Sequence, residues 1–196
     1  VVQSWYVGAL SFCIVTFCIG AMLLAADALR AQLEYLAHRD SLTGVLNRRA
    51  LLEASEDELQ RTLRGSGGRG PALMMLDLDH FKQVNDRHGH LVGDRVLREF
   101  VQRIGAVLRP HDRLGRYGGE EFAVLLPDTA LADAEGVAAR LIGAGPSDTA
   151  LPASTASVGL TAWRGPGDTL DAMLGRADLA LYRAKALGRN QAQSEA

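Results

Sequence analysis

Residues 116–126 read Arg-Tyr-Gly-Gly-Glu-Glu-Phe-Ala-Val-Leu-Leu, and the expected architecture can be built outward from them. Gly118 and Gly119 separate a short polar segment from an apolar run, which is typical of a β-hairpin whose turn tolerates positive φ. Side chains alternate along a strand, so Glu120 and Glu121 face opposite ways and only one of them can reach a given site. The glycines also leave room for a ligand to approach the backbone closely.

A second acidic segment follows the apolar run at residues 72–78, which reads ALMMLDL and is typical of a buried strand. Asp77 lies near the end of this run, and Asp79 follows it. Charged groups at the mouth of a buried strand are costly unless a cation pairs with them, which favours a divalent metal; a helix cap at Asp79 is the alternative. If the hairpin lies beside this strand, Asp77 and Glu120 can share a metal ion, an arrangement that suits phosphoryl transfer.

The composition sets limits on the class of protein. The chain has 196 residues, 47% hydrophobic and 22% charged, with a formal net charge of −2. These averages argue against a disordered or collagen-like chain, and the near-neutral balance excludes a nucleic-acid binder that works through a large basic field. Every charged residue lies between Asp27 and Glu195. The sequence therefore divides at Ala26-Asp27.

The uncharged N-terminal segment predicts a transmembrane helix within residues 1–26. Residues 5–26 would cover about 33 Å as a helix, against a hydrocarbon core of about 30 Å. A signal peptide would have a basic n-region, and a core helix of this length would carry a polar stripe. Basic residues follow the segment and none precedes it, so we expect an inner-membrane protein, single-pass or ending a longer receptor, with the remainder in the cytoplasm.

Residues 27–39 predict a helical connector. Leu29, Leu33 and Leu36 form a short heptad-like seam that could continue the membrane helix into a parallel dimer; an amphipathic helix lying on its own domain is the alternative. Residues 40–192 then form the domain that carries the chemistry, and we expect residues 193–196 to be a disordered tail.

The residues around the glycine pair belong to a set of four ordered blocks. The other three are DSLTGVLNRR at residues 40–49, DLDHFKQVNDRHGHLVGD at 77–94 and YRAKALGRN at 182–190. Together they resemble the GGDEF family of diguanylate cyclases, in its GGEEF form, over about residues 38–192. The resemblance implies an α/β (α+β) fold similar to the palm of nucleotide cyclases and polymerases, with a central, mostly antiparallel sheet flanked by helices.

The same resemblance implies an activity. Members of the family join two GTP molecules into cyclic di-GMP and release two pyrophosphates, using Mg²⁺ or Mn²⁺ in a homodimer in which each protomer holds one GTP. A catalytically silent module that binds GTP or cyclic di-GMP is the alternative from another class. A cyclase that acts on a single nucleotide is a third interpretation. It is disfavoured because Asn85 and Asp94 would recognise guanine within a site that holds only half of the product.

Site residues follow from the resemblance by position. It implies that Mg²⁺ is held by Asp77, the main-chain carbonyl of Leu78 and Glu120, with Glu120 also helping to deprotonate the 3′-hydroxyl. The guanine-binding residues would be Asn85 and Asp94, with His90 near the base or ribose; an amide and a carboxylate match the donors and acceptors of guanine. The triphosphate would be neutralised by Lys82, Lys185 and Arg189.

Simpler interpretations exist for several of these residues. Asn85 could cap a turn, Asp94 could cap a helix beginning at Arg95, and Lys82 could be a solvated surface residue. The segment Arg109-Pro-His-Asp112 reads as an ordinary helix stop. In family position, however, Arg109 and Asp112 resemble an inhibitory site for the cyclic di-GMP product, to which Arg140 of a second domain could contribute.

Overall fold

The computed structural model describes residues 16–27, 29, 38–65, 69–143 and 150–195. Its contacts divide the chain into two units, Val1–His38 and Arg39–Ala196. In the first unit, residues 16–27 are helical and most of their side chains are exposed. Within the described residues, no helix is both long enough and apolar enough to cross a membrane. The predicted span and connector lie partly outside the described residues and stay predictions.

The second unit is a mixed sheet flanked by helices. Its described elements are, in chain order, β1 (Leu46–Asn47), α1 (Arg48–Arg64), β2 (Ala72–Leu78), α2 (Phe81–His88), α3 (His90–Val107), β3 (Arg113–Arg116), β4 (Glu121–Leu126), α4 (Leu131–Gly143), β5 (Ala156–Ala162), α5 (Leu170–Ala186) and β6 (Ala192–Glu195). The strand order is β1-β3-β4-β2-β5-β6. The β3–β4, β4–β2 and β2–β5 pairs are antiparallel, whereas β1–β3 and β5–β6 are parallel. The expected hairpin and central sheet are confirmed.

Strand β2 is buried on both faces. Met74 and Leu76 belong to one hydrophobic cluster, with residues of α3 and α4, whereas Leu73 and Met75 belong to a second, with residues of α1 and α5. Side chains of a strand alternate between its faces, so a strand covered on both sides reads as the continuous apolar run seen in the sequence. Asp77 and Asp79 therefore lie at the end of the most buried strand of the sheet.

Helix α5 packs unusually close to β5. A Cβ atom on Gly159 would collide with the carbonyl oxygen of Ala177 and with the backbone of Leu181. Only glycine allows the strand and the helix to approach this closely. The contact holds the C-terminal end of α5, which carries Lys185, against the middle of the sheet.

Two sequence-based boundaries are wrong. The expected disordered tail at residues 193–196 is instead strand β6 as far as Glu195, because pairing with β5 satisfies its backbone groups and Thr161 Oγ1 donates to the Glu195 carbonyl at 2.7 Å. Helix α3 begins at His90. Asp94 is therefore its fifth residue and not the cap of a helix beginning at Arg95.

Candidate functional site

The candidate site lies where β2 and β4 end side by side. The antiparallel register places Asp77 opposite Glu121, and the Leu78 amide donates to the carbonyl of Glu120 at 3.4 Å. The acidic end of the buried strand and the glycine bend are thus neighbours, which meets the condition under which Asp77 and Glu120 could share a metal ion. The residue directly across from Asp77 is Glu121, while Glu120 belongs to the bend that precedes β4 and contacts Leu78 through its backbone.

A lysine neutralises the carboxylate of Asp77. The Nζ atom of Lys185, in the last turn of α5, lies 2.8 Å from Asp77 Oδ2. Asp77 is only 8% exposed. A carboxylate this deeply buried needs a compensating cation, and the ammonium supplies one. The position of Lys185 therefore marks where this site accepts positive charge.

The residues around Asp77 fit a hard divalent cation. The carboxylates of Asp77 and Glu120 and the carbonyl of Leu78 are oxygen donors, the class preferred by Mg²⁺ and Mn²⁺. Among the described residues, no group of three or more His, Cys, Asp or Glu side chains could hold a metal. A cation here would therefore take ligands from the main chain and substrate as well as from the two carboxylates.

The glycine bend differs from the expected turn. Neither Gly118 nor Gly119 has a positive φ, so left-handed backbone is not the reason for glycine here. A Cβ atom on Gly118 would lie 2.5 Å from Glu121 Oε2, so the Glu121 side chain takes that space. A Cβ atom on Gly119 would meet nothing within 4 Å. The backbone at Gly119 is therefore open to a ligand.

An ion pair that the sequence did not reveal holds the bend. Arg116 donates to the Gly119 carbonyl from Nε (3.0 Å) and Nη2 (2.7 Å), and its Nη1 contacts both carboxylate oxygens of Asp40 at 3.1 and 3.2 Å. Thr43 donates to Asp40 from its amide (2.9 Å) and hydroxyl (2.6 Å). Partial burial alone would raise the pKa of Asp40, but these hydrogen bonds and the Arg116 guanidinium lower it below its ordinary value.

Helix α1 supports the same bend through an aromatic contact. The guanidinium of Arg48 lies 4.3 Å from the ring centroid of Tyr117, and its Nη2 atom donates to the Tyr117 hydroxyl at 3.2 Å. Such cation–π contacts are worth about 0.5–1 kcal/mol at exposed sites. Arg48 is the first residue of α1, whose N-cap is Asn47. The block at residues 40–49 therefore serves to brace the glycine bend.

Asp79 is a structural anchor and not a helix cap. Its buried carboxylate accepts hydrogen bonds from the hydroxyls of Thr155 and Ser157, each at 2.7 Å, and from the amide of Asn190 at 3.0 Å. The residue before α2 is His80, which has a φ of 58° and makes no side-chain cap. This role is not visible in the sequence, because the three partners lie far from Asp79 along the chain.

The two predicted guanine-binding residues lie close together in the α2–α3 corner. Asn85 Oδ1 occupies the position that a Cβ atom on Gly93 would take, so glycine at residue 93 is required for the approach. Asp94 follows directly and is half-buried, while His90 is exposed at the start of α3. The turn-cap interpretation of Asn85 is wrong, because Asn85 lies within α2 against α3.

The remaining predicted phosphate-binding cations are on the surface. Lys82 projects from α2 and Arg189 follows α5; both are exposed. The charged groups of these two side chains make no hydrogen bond or ion pair with any described residue. Arg189 has a φ of 65°, and its amide donates to the Ala184 carbonyl at 3.0 Å, which ends α5. Both side chains can therefore engage a ligand without breaking an existing contact.

The predicted product-binding residues form a separate turn after α3. The Arg109 amide donates to Asp112 Oδ2 at 2.7 Å, and the Asp112 amide donates to the Arg109 carbonyl at 3.1 Å. The other oxygen, Oδ1, is buried and has no hydrogen-bond partner in the described part of the chain. Arg140 lies exposed in the last turn of α4. The structure thus brings Arg109 and Asp112 together and places Arg140 on another element.

Comparison with known proteins shows the family to which the chain belongs. The family model described as "Diguanylate cyclase, GGDEF domain" matches residues 37–191. The response regulator PleD of Caulobacter vibrioides is 42% identical over 174 residues, which are 84% of this chain and 38% of PleD. Diguanylate cyclase DgcM of Escherichia coli is 38% identical over 178 residues, 89% of this chain and 42% of DgcM. The chain thus spans about two fifths of these curated relatives.

Solved structures give the same result. The coiled coil and GGDEF domain of DgcB from Caulobacter crescentus, in complex with c-di-GMP, has a TM-score of 0.77 and 31% identity, covering 90% of this chain and 97% of that one. Diguanylate cyclase SiaD from Pseudomonas aeruginosa, in complex with its activator SiaC, has a TM-score of 0.76 and 37% identity, covering 98% and 75%. The fold is therefore the palm-like α/β fold expected from the sequence. The chain belongs to the diguanylate cyclase family defined by the GGDEF domain.

Proposed function

We propose that this chain joins two GTP molecules into cyclic di-GMP and releases two pyrophosphates. One observation carries the proposal: the backbone of Glu120 pairs with Leu78, next to Asp77, at the adjoining ends of β2 and β4, and the bend beside them is open at Gly119. Lys185 contributes positive charge at the same place. Acid residues that hold a cation, fixed cations and accessible backbone are the parts that phosphoryl transfer needs.

We propose that Asp77, the Leu78 carbonyl and Glu120 hold Mg²⁺ or Mn²⁺. When bound, such an ion polarises the α-phosphate and favours ionisation of the attacking hydroxyl. Lys185, Lys82 and Arg189 neutralise the phosphates, and Gly119 allows the nucleotide to approach the bend. Glu120 accepts the proton of the 3′-hydroxyl.

The α2–α3 corner would select the base. The Asn85 amide and the Asp94 carboxylate offer both a donor and acceptors, which match the edge of guanine, and His90 lies near the base or ribose. Adenine presents a different order of donors and acceptors. We therefore propose GTP as the substrate.

The reaction requires two copies of the domain, each with one GTP. The 3′-oxygen of each nucleotide forms a bond to the α-phosphorus of the other, the bond from that phosphorus to the bridging oxygen breaks, and pyrophosphate leaves. Cyclic di-GMP has two-fold symmetry, and a C2 dimer of the domain has the same symmetry. We propose that the connector at residues 27–39 brings the two domains face to face.

We also propose product inhibition at the Arg109–Asp112 turn. The buried Oδ1 atom of Asp112 lacks a partner among the described residues, and a guanine N–H group is a suitable donor for it. The exposed guanidinium of Arg109 would bind phosphate or guanine, and Arg140 of a second domain would complete the site.

We propose that residues 5–26 anchor the protein in the inner membrane with the cyclase domain in the cytoplasm. The proposal is supported by the uncharged composition of this segment and by the basic residues that follow it. Carbonate-resistant sedimentation with membranes and protection of the domain in right-side-out vesicles test it; release by carbonate would contradict it.

Incubation of the purified full chain with GTP and Mg²⁺, followed by chromatography, tests the activity. We expect cyclic di-GMP from the natural protein and none from Glu120→Gln. Glu56→Gln, at an exposed position on α1, is the matched control and retains activity. Full activity of Glu120→Gln would overturn the site assignment. Binding of GTP without any product from the natural protein would instead support a silent binding module.

A further inference from the structure

A cleft of about 260 Å³ lies beside α2, apart from the residues assigned to GTP. Its lining from α2 and the residue before it consists of His80, Gln83, Val84, Arg87 and His88. These positions follow the spacing of one helical stripe, i, i+3, i+4, i+7 and i+8. The cleft therefore runs along a single side of α2.

This side of α2 differs from the side that faces the nucleotide site. Successive residues of a helix are rotated by about 100°, so Lys82 and Asn85 point away from the stripe that contains Gln83 and Arg87. Asn85 also packs against Gly93 of α3. The opposite wall of the cleft comes from Pro152, Ala153 and Thr155, ahead of β5. The cleft is thus a second concave surface of the same helix.

The polar lining of the cleft offers several hydrogen-bond donors, and its one carboxylate is already hydrogen-bonded. Arg87 and His88 make no hydrogen bond or ion pair with other described residues, and Gln83 Nε2 lies 3.3 Å from His80 Nδ1. The one carboxylate in the lining, Asp79, already accepts hydrogen bonds from Thr155, Ser157 and Asn190. A ligand that enters here meets unpaired donors and a guanidinium, which is the chemistry of an oxyanion site.

We propose that this cleft binds a small phosphate-bearing anion through Arg87 and His88, with His80 and Gln83 as further contacts. Inorganic phosphate, pyrophosphate and a phosphomonoester share the recognised group. Val84, Pro152 and Ala153 provide an apolar wall that limits competition from water. Asp79 lines the cleft and also holds Asn190, the neighbour of Arg189. A bound anion therefore lies next to Asp79, the residue that holds the loop of Arg189. Arg189 is itself a proposed triphosphate contact.

Calorimetric titration of the full chain tests the proposal, in buffer free of phosphate and divalent cations. Inorganic phosphate and pyrophosphate are the probes, in separate titrations. We expect Arg87→Gln/His88→Gln to weaken binding about tenfold or more, because two charge-assisted contacts are lost. The control, Arg61→Gln/Arg64→Gln, removes two exposed guanidinium groups from α1, outside the cleft, and leaves binding unchanged.

A second variant separates the cleft from the proposed GTP site. Lys185→Met/Arg189→Gln removes two proposed triphosphate contacts, and we expect the cleft still to bind the probe. Absence of binding by the natural chain, equal binding by Arg87→Gln/His88→Gln and its control, or loss of binding only in Lys185→Met/Arg189→Gln would each overturn the proposal. Binding of both probes would identify a single phosphate group as sufficient, whereas binding of pyrophosphate alone would identify a diphosphate.

The cyclase assay is independent of this experiment. Binding of the probes requires no GTP, and formation of cyclic di-GMP requires neither Arg87 nor His88. We expect Arg87→Gln/His88→Gln to form product in buffer without added phosphate. If the natural protein binds the probes but forms no cyclic di-GMP, the result would contradict the proposed function and still support anion binding in the cleft.

Discussion

Lys185 Nζ lies 2.8 Å from Asp77 Oδ2, so a side chain of α5 neutralises the carboxylate at the end of β2. A metal ion that binds Asp77 must compete with this ammonium. The same lysine is then available to the phosphates of a nucleotide. The pair thus connects cation binding at the sheet edge with the position of a proposed substrate contact.

We expect Lys185→Met to bind Mn²⁺ more tightly than the natural chain when no nucleotide is present, because a competing positive charge is removed. Electron paramagnetic resonance of free Mn²⁺ measures the affinity. We expect the same variant to lose cyclase activity, since a proposed triphosphate contact is missing. Lys82→Met is the control, because Lys82 is the only other lysine of the chain and forms no ion pair with any described residue. Unchanged or weaker Mn²⁺ binding by Lys185→Met would show that the ammonium does not compete.

Gly93→Ala should raise the KM for GTP about tenfold, because its Cβ atom would displace the Asn85 amide from the α2–α3 corner. Gly105→Ala in the same helix is the control, since its Cβ atom meets nothing within 4 Å. Helix propensity should make Gly105→Ala more stable by about 0.5–1 kcal/mol without changing KM. Steady-state kinetics and urea unfolding measure the two effects. An unchanged KM in Gly93→Ala would argue against guanine recognition by Asn85.

Gly119→Ala should leave the unfolding free energy nearly unchanged but reduce turnover strongly. The added methyl group meets no protein atom within 4 Å, yet it occupies the open side of the bend proposed to face the nucleotide. Gly143→Ala, whose Cβ atom also meets nothing within 4 Å, is a control at the end of α4 and should affect neither quantity. Normal turnover in Gly119→Ala would mean that the nucleotide does not approach this glycine.

Arg116→Gln and Asp40→Asn should be strongly non-additive. Each change breaks the ion pair that holds the Gly119 carbonyl, so the second adds little once the first is made. We expect a coupling of about 1 kcal/mol in the unfolding free energy, because the pair is partly exposed to solvent. Turnover should fall in both single variants. Additive losses would show that the two side chains act separately.

Acid should weaken the domain through its ion-paired carboxylates. Hydrogen bonds from Arg176 lower the pKa of Asp168, against the effect of partial burial, and the pKa of Asp40 is also lowered. A carboxyl whose folded pKa is depressed stabilises the fold above its unfolded pKa of about 3.9, and this contribution is lost as pH falls through the folded value. We therefore expect the unfolding free energy to decrease below about pH 4.

Asp168→Asn tests the contribution of Asp168 to this acid dependence. Arg176 donates to both Asp168 oxygens, at 2.6 and 2.9 Å, and removing one partner of a largely buried pair costs about 3 kcal/mol. We expect that loss at pH 7, together with a shallower acid dependence below pH 4, in urea unfolding followed by circular dichroism. Asp178→Asn, at an exposed position on α5, should change neither quantity. An acid dependence equal to that of the natural chain would exclude Asp168 as its source.

The local sequence pattern was enough to predict β2, the β3–β4 hairpin and the acidic residues at their ends. A buried strand reads as an apolar run, and a hairpin reads as two strand-like segments around a glycine turn. The relationships that it could not supply join distant segments. Asp40 and Arg116 are 76 residues apart, and only the fold shows that they meet. Likewise, glycine at residue 118 indicated a turn, whereas the structure shows that it leaves space for the Glu121 side chain.

The end of the chain shows the same limit. A short polar segment after α5 resembles a tail when read alone, yet β5 offers an unpaired edge to which it adds as β6. The start of α3 shows a related limit, because its N-cap is Gly89, which makes no side-chain cap, whereas the carboxylate of Asp94 is the more obvious cap in the sequence. A helix that begins without a capping side chain is hard to locate from the sequence.

The hydrogen bond from the Asn190 amide to Asp79 spans 111 residues. Contacts of such long range form late, because closing the intervening chain costs entropy that local structure does not repay. We therefore expect the loop of Arg189 to be fixed in place only when the whole sheet, from β2 to β6, has assembled. Catalytic competence should appear together with complete folding, and refolding followed by activity should show no active partly folded species.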